Sequence, residues 1–183
     1  MQRLLAAYAE PQRHYHTGQH LSECLGLLDQ HLALANEPGE VELALWFHDA
    51  IYDVRANDNE LKSAEWAVRE LQQAGVASER IQRVQELILA TRHSARPEEP
   101  DQALLVDVDL SILGAPRARF EEYEHQVRAE YAWVPEPLFR QKRRAVLSEF
   151  LSRRPIYNTQ QLLSALENQA RANLSWSLQQ LEN

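Results

Sequence analysis

The sequence predicts an all-α protein, and three observations support that prediction. Only 5 of the 183 residues are glycine. No alternating strand pattern or Asn-Gly hairpin is present, and apolar residues recur at helical spacing almost throughout the chain. The length suits one domain with a hydrophobic core of its own. We therefore expect a compact single domain over residues 1–183, a bundle of about eight or nine helices.

The predicted elements in the first half follow from apolar stripes. Leu21, Cys24 and Leu28 lie at helical spacing and predict the first long helix. Residues 43–52 are nearly all apolar, which predicts a buried helix. The next helix runs over residues 61–71, with a glycine at position 75 suited to its C-terminal cap.

The second half continues the pattern. Ser78 is a suitable N-cap for a helix that carries apolar residues over 81–88, and residues 104–113 predict a short apolar helix closed by Gly-Ala-Pro. Further helices are expected over 120–131, 138–151 and 162–181. The connecting loops are expected near residues 10–16, 34–39, 54–58, 94–101, 114–116, 133–137 and 154–159.

Composition limits the function classes. The net charge of −8 argues against a broad nucleic-acid-binding surface, which would be basic. No apolar stretch approaches the roughly 18 residues of a membrane span, and the N-terminus is unlike a signal peptide. Cys24 is the one cysteine, so no internal disulfide can form. A cytoplasmic protein is expected, and its oligomeric state is not encoded in any motif.

A histidine and an aspartate stand at the end of the most apolar run. Residues 43–47 are all apolar, His48 and Asp49 follow, and residues 50–52 are Ala-Ile-Tyr. A carboxylate in such surroundings is costly unless it is paired or bound to a metal. Histidine with aspartate is also a good ligand combination for a divalent cation. The pair therefore suggests a metal site whose other ligands lie elsewhere in the chain.

Two other segments offer those ligands, since metal sites in helical proteins draw side chains from several helices. His16 and His20 are four residues apart, but the helix is expected to begin only around residues 17–18. His20 would then lie in its first turn and His16 in the preceding loop. Asp107 and Asp109 place two carboxylates inside the apolar stretch near residue 108.

The order His, then His-Asp, then Asp, each on its own predicted helix, resembles the HD superfamily of metal-dependent phosphohydrolases, which are all-α. The resemblance spans about residues 13–114, and helices over 116–183 would complete the fold. Residues 15–20, Tyr-His-Thr-Gly-Gln-His, are similar to the first motif of cyclic nucleotide phosphodiesterases. Thr17 stands where that motif has Asn, so cleavage of a cyclic nucleotide is not implied. Three tail segments are similar to one bacterial subgroup of predicted HD phosphohydrolases: residues 127–131, 144–151 and 155–157.

The resemblance implies roles for individual residues. Those that bind one or two divalent ions are His20, His48, Asp49 and Asp109. Asp107 is the alternative to Asp109. His16 would protonate the leaving oxygen, and Asp49 would act in catalysis as well as in metal binding. The implied enzyme hydrolyses a phosphomonoester or phosphodiester of a small, nucleotide-like substrate with metal-activated water. The mixed ligand set suits Mn, Fe, Co, Ni or Zn, and Mg less naturally.

Further residues are candidates for contacts to a phosphorylated substrate. They are Glu60, His93, Arg128 and Arg144. Each also has an ordinary structural explanation. The helix dipole favours acidic groups near the N-terminus of a helix and basic groups near its C-terminus, and a cluster of basic residues is usually a solvated helix face. Asp53 would share a face with Asp49 if that helix continued.

Two other interpretations remain open. A non-catalytic module could keep the fold and sense a nucleotide or a metal. Alternatively, a purely structural helical protein could hold His48 and Asp49 as an internal hydrogen-bonded pair. No local motif names the substrate.

Overall fold

A computed structural model describes residues 2–182, and this part of the chain contains nine α-helices, two 3₁₀ helices and no strand. The all-α prediction is confirmed. The α-helices are α1 (Gln2–Ala7), α2 (Gly18–His31), α3 (Pro38–Phe47), α4 (Asn59–Gln73), α5 (Ser78–Ala90), α6 (Pro100–Asp109), α7 (Arg117–Glu130), α8 (Glu136–Ser152) and α9 (Gln160–Gln180). The 3₁₀ helices are Leu32–Leu34 and Leu110–Gly114. None of the described helices is long and apolar enough to cross a membrane.

The backbone divides into two units, Met1–Asp109 and Leu110–Asn183. The first unit contains α1 to α6. The first unit ends at Asp109, close to residue 114, where the resemblance to HD phosphohydrolases ends. The expectation of a single domain over the whole chain stays a prediction.

Helix α3 is the centre of the first unit. From Val41 to Phe47 every residue except Glu42 is apolar, as expected of a largely buried helix, and Val41, Ala44 and Leu45 are fully buried. It packs against α2, α4, α5 and α6, while α2 and α6 also contact each other. Helix α3 is therefore in contact with four other helices of the first unit.

The helix ends follow local chemistry, with two corrections. Thr17 caps α2, and its side chain accepts a hydrogen bond from the Gln19 N–H at 3.3 Å. Gly75 has a φ of +72° and its N–H bonds back to Gln72, which ends α4 as predicted. The prediction that Ser78 is an N-cap is wrong by one residue, because Ala77 holds that position and Ser78 is the first helical residue.

The predicted helix over 104–113 is also corrected. Helix α6 begins earlier, at Pro100, and ends at Asp109, after which the chain tightens into the 3₁₀ helix Leu110–Gly114. Proline is well tolerated in the first turn of a helix, which accounts for the earlier start.

The second unit is held together by buried polar contacts. The Tyr157 hydroxyl donates to the Leu110 carbonyl at 3.1 Å. The Asn173 side-chain amide donates to the carbonyls of Leu113 and Ala115, each at 2.8 Å. The two Asn173 bonds satisfy carbonyls that helical hydrogen bonding leaves open at the end of the 3₁₀ helix.

Candidate metal centre

Three segments of the first unit bring the predicted ligands together. His20 lies in the first turn of α2 and is only 2% exposed. His48 is the C-terminal cap of α3 and is 1% exposed, and Asp49 follows it. Asp109 is the last residue of α6. Because α2, α3 and α6 pack against one another, these side chains converge.

The donor atoms form one tight cluster. The Nε2 atoms of His20 and His48 are 3.1 Å apart. Asp109 Oδ1 lies 3.2 Å from the first and 3.4 Å from the second. Asp49 Oδ2 lies 3.5 Å and 3.0 Å from the same two nitrogens. In the described chain, His20, His48 and Asp109 are the group whose ligand atoms all lie within 4.8 Å of one another.

These distances match the edges of a metal coordination polyhedron. At metal–ligand distances of about 2.1 Å, neighbouring ligand atoms lie roughly 3.0 Å apart in an octahedron and roughly 3.4 Å apart in a tetrahedron. The five distances above range from 3.0 to 3.5 Å. Two imidazole nitrogens and two carboxylate oxygens also form a donor set that divalent transition metals accept. The residues present therefore fit such an ion.

The second nitrogen of His48 supports this orientation. Its Nδ1 lies 2.7 Å from the Leu45 carbonyl oxygen, to which an Nδ1–H donates. The ring is thereby fixed with Nε2 toward the cluster. A ligating histidine typically donates its other N–H in this way, which sets both its tautomer and its orientation.

The two histidines gain affinity for protons from their neighbours. Burial disfavours the charged imidazolium, but Asp49 and Tyr8 beside the ring, among other groups, hold the pKa of His48 well above its ordinary value. Burial also opposes charging of His20, and it is outweighed by Cys24, by Tyr15 and by hydrogen bonds to the carboxylates, so the pKa of His20 is raised as well. Without a metal, the cluster therefore retains protons on its imidazoles.

The carboxylates shift in the opposite direction. Burial favours their neutral forms, but the charge of His48 outweighs it and holds the pKa of Asp49 and the pKa of Asp109 well below their usual range. His16 adds to this effect on Asp49. Both carboxylates are thus ionised, as metal ligands must be. Their side chains are 17% and 12% exposed, so solvent can reach the cluster.

His16 lies in the loop before α2, beside the cluster. Its ring stacks on Tyr52 with centroids 4.1 Å apart, and the centroid of His20 lies 6.0 Å away. His16 is partly exposed. The sequence prediction that it lies in a loop just before the first helical turn is confirmed.

Two of the candidate substrate contacts are in the first unit. His93 Nε2 lies 3.0 Å from Asp109 Oδ2, and His93 has a φ of 53°, in the left-handed region that non-glycine residues rarely adopt. Glu60, in the first turn of α4, is 3.9 Å from the guanidinium of Arg92. The structure thus brings His93 to the cluster, whereas Glu60 has an ion-pair partner of its own.

The other two candidates, Arg128 and Arg144, belong to the second unit, where their guanidinium groups have internal partners. Arg128 pairs with Glu136 at 2.8 Å and also donates to two nearby carbonyls. Arg144 contacts Glu182 at 3.3 Å and the Leu181 carbonyl at 3.5 Å, at the end of α9. Their role as substrate contacts stays a prediction.

The structure bears on two expectations about the aspartates. Asp109 joins the cluster, whereas Asp107 is fully buried and is not part of it. Asp53 does not share a helical face with Asp49, because α3 ends at Phe47. Asp53 instead accepts a hydrogen bond from the Arg55 N–H at 2.9 Å in the following loop.

Sequence reasoning missed two residues that contact the main chain of the cluster, Tyr8 and Arg13. Both are buried. Burial, aided by the negative charge of Asp49 and opposed by His48 and His20, raises the pKa of Tyr8 to about 12, so its hydroxyl stays protonated. Neither residue belongs to the motifs that predict the metal ligands. An arginine in a polar loop segment also gives no indication in the sequence that its side chain is buried.

Comparisons of the chain with models of protein families, with curated proteins and with solved structures find no match. The geometry and the order of His20, His48, Asp49 and Asp109 are therefore the observations that bear on function.

Proposed function

We propose that this protein is a metal-dependent phosphohydrolase that acts on a small, nucleotide-like phosphomonoester or phosphodiester. The observation that carries the proposal is that one oxygen each of Asp49 and Asp109 lies 3.0 to 3.5 Å from the Nε2 atoms of His20 and His48, which are themselves 3.1 Å apart. The donors are the four residues that the resemblance to HD phosphohydrolases implies.

The site residues would have two roles, binding a cation and transferring a proton. His20, His48 and Asp109 would hold the ion, and Asp49 would be its fourth ligand, able to reach a second ion with its other oxygen. A bound divalent cation supplies Lewis acidity at the phosphoryl oxygen and lowers the pKa of coordinated water. The hydrogen bond from His48 to the Leu45 carbonyl keeps its ring in place during these steps.

His16 is the proposed proton donor. It is partly exposed, so a substrate can reach it, and its stacking on Tyr52 limits the orientations of the ring. A protonated ring nitrogen near the cluster would donate to the leaving alkoxide. A phosphomonoester would give phosphate and an alcohol, and a phosphodiester would give a phosphomonoester and an alcohol.

A substrate screen tests this proposal. Purified protein is incubated with Mn²⁺, Fe²⁺, Co²⁺, Ni²⁺, Zn²⁺ or Mg²⁺ and with an aryl phosphate, an aryl phosphodiester or a nucleotide panel. We expect metal-dependent hydrolysis that is lost in His48→Ala and Asp49→Ala but kept in His125→Ala, a histidine of the second unit. Circular dichroism shows whether each variant remains folded.

The other outcomes identify the rival interpretations. Metal binding without turnover of any substrate would favour a module that senses a metal or nucleotide. Hydrolysis that persists unchanged in folded His48→Ala would refute the mechanism. A protein that binds none of the metals would leave the His48 and Asp49 pair as a structural feature.

A further inference from the structure

The guanidinium of Arg13 is buried beside the candidate metal centre. The Arg13 side chain is 0% exposed, and burying a charged group is costly unless it is fully hydrogen-bonded. Its Nε donates to Glu10 at 3.0 Å, and its two terminal nitrogens donate only to main-chain carbonyls. This side chain therefore connects separate pieces of backbone.

The carbonyls that Arg13 contacts belong to two segments beside the site, the loop before α2 and the chain that follows α3. Its NH1 lies 2.6 Å from the Asp49 oxygen and 3.2 Å from the His16 oxygen, and its NH2 lies 3.1 Å from the Ala50 oxygen. One planar group thus joins the loop of the proposed proton donor to the main chain of a proposed metal ligand. The fixed fork of guanidinium donors suits such a task.

Tyr8 contacts the peptide unit that precedes Asp49. The Asp49 N–H donates to the Tyr8 hydroxyl at 3.3 Å, and that hydroxyl donates to the Trp46 carbonyl, also at 3.3 Å. Arg13 lies over the Tyr8 ring, with its guanidinium carbon 5.4 Å from the ring centroid. Both main-chain polar groups of Asp49 are therefore held by side chains from residues 8–13.

The end of α3 explains why this support is needed. The helix stops at Phe47, and the last carbonyls of a helix have no donors of their own. Asp49 follows that end, where helical hydrogen bonding no longer fixes the backbone. A cation is also favourable at a helix C-terminus.

We propose that Tyr8 and Arg13 form a main-chain clamp that sets the position of the Asp49 carboxylate, and that they are positioning residues for the metal centre. The inference rests on the proposed function, because it assigns the clamp to that centre. Support of this kind around metal ligands typically changes metal affinity by about 10- to 100-fold.

The test compares Arg13→Lys and Tyr8→Phe with a matched control, Arg171→Lys. Arg171 likewise donates its Nε to a carboxylate, that of Glu167, and its other nitrogens to two carbonyls, but it lies in the second unit. Lysine keeps the charge and loses the fork. Tyr8→Phe removes one hydroxyl, so it decides the question should Arg13→Lys not fold.

Two measurements are made on the full chain at a temperature where each variant is folded. Calorimetric titration with Co²⁺ gives the affinity, and the visible absorption of the bound Co²⁺ reports its ligand geometry. We expect affinity to fall about 10- to 100-fold in Arg13→Lys and Tyr8→Phe, with an altered spectrum. Arg171→Lys should keep the affinity and spectrum of the wild type, even where its melting temperature falls.

The outcomes separate this proposal from the proposed function. Wild-type binding with unchanged affinity and spectrum in both clamp variants would overturn the clamp and leave the metal site standing. An equal loss of affinity in Arg171→Lys would also overturn it, since the effect would then be general destabilisation. A wild-type protein that binds no Co²⁺ would overturn both proposals.

Discussion

Metal binding should release protons from the cluster, so affinity should rise with pH. The pKa values of His20 and His48 are raised in the metal-free protein, chiefly because neighbouring groups outweigh the effect of burial. Near neutral pH at least one of the two Nε2 atoms therefore carries a proton, and a cation must displace that proton to bind. The carboxylates of Asp49 and Asp109 are already ionised, because their pKa values are lowered, and they release none.

The size of the effect follows from the geometry. The two Nε2 atoms are 3.1 Å apart, so one proton can lie between them and serve both rings. Displacing one proton changes the apparent affinity about tenfold per pH unit, or about 1.4 kcal/mol. The dependence should persist above pH 6.5, the ordinary histidine value, and level off once pH exceeds the raised pKa.

The same protons stabilise the metal-free fold. A group whose pKa is raised on folding contributes stability that is fully present below its unfolded value, near 6.5 for histidine, and is lost as pH rises through the folded value. The carboxylates act in the opposite sense: their contribution is present above about pH 3.9 and is lost as pH falls through the lowered folded value. The free energy of unfolding of the metal-free protein should therefore fall as pH rises through the raised histidine pKa values, and again as pH falls through the lowered carboxylate pKa values.

Calorimetric titration with Mn²⁺ in two buffers of different ionisation enthalpy measures the released protons directly. We expect at least one per bound ion at pH 7, and a Kd that falls about tenfold between pH 6 and pH 7. His125→Ala is the control, since that ring lies in the second unit. Zero released protons together with a Kd that is constant from pH 6 to pH 8 would refute this reasoning.

Two substitutions test the site and the packing of the second unit. Asp109→Asn should weaken Mn²⁺ binding at least tenfold, because it removes charge from an oxygen 3.2 Å from an imidazole nitrogen, whereas Asp107→Asn should retain affinity in the folded protein. Equal losses in calorimetric titrations of the two variants would contradict the ligand assignment. Gly114→Ala should lower the free energy of unfolding by about 1–3 kcal/mol, because the new Cβ would lie 2.7 Å from the Leu166 Cβ. Differential scanning calorimetry measures the change, at roughly 2–4 °C per kcal/mol. Gly26→Ala, whose Cβ meets open space, should cause no loss, and equal melting temperatures for the two variants would contradict the packing argument.

The helices were predictable where a local signal sets them. The apolar stripe at Leu21, Cys24 and Leu28 marks the buried face of α2, and all three are buried. Thr17 and Gly75 mark helix ends through their own chemistry, a side-chain acceptor and a positive φ. Such signals involve only neighbours in sequence, so a single chain displays them.

The main-chain support of the site was not predictable, because it depends on contacts between distant residues. Arg13 contacts Asp49 and Ala50 across 36 and 37 positions, and no periodic pattern marks such a pair. The end of α3 at Phe47 was not predicted, since apolar residues resume at positions 50–52 after His48 and Asp49. The order of the proposed ligands could be predicted from the sequence. The side-chain contacts that hold the backbone of Asp49 and Ala50 could not, because they join residues that are distant in sequence.

Direct metal analysis tests the central claim, which is that His20, His48, Asp49 and Asp109 bind a divalent cation. Protein purified without chelator is analysed for metal and then titrated with Mn²⁺, Ni²⁺ and Zn²⁺, beside His48→Ala that circular dichroism shows to be folded. We predict about one equivalent or more of bound metal in the wild type, and its loss in the variant. Less than roughly a tenth of an equivalent in the wild type, with no binding during any titration, would contradict the claim.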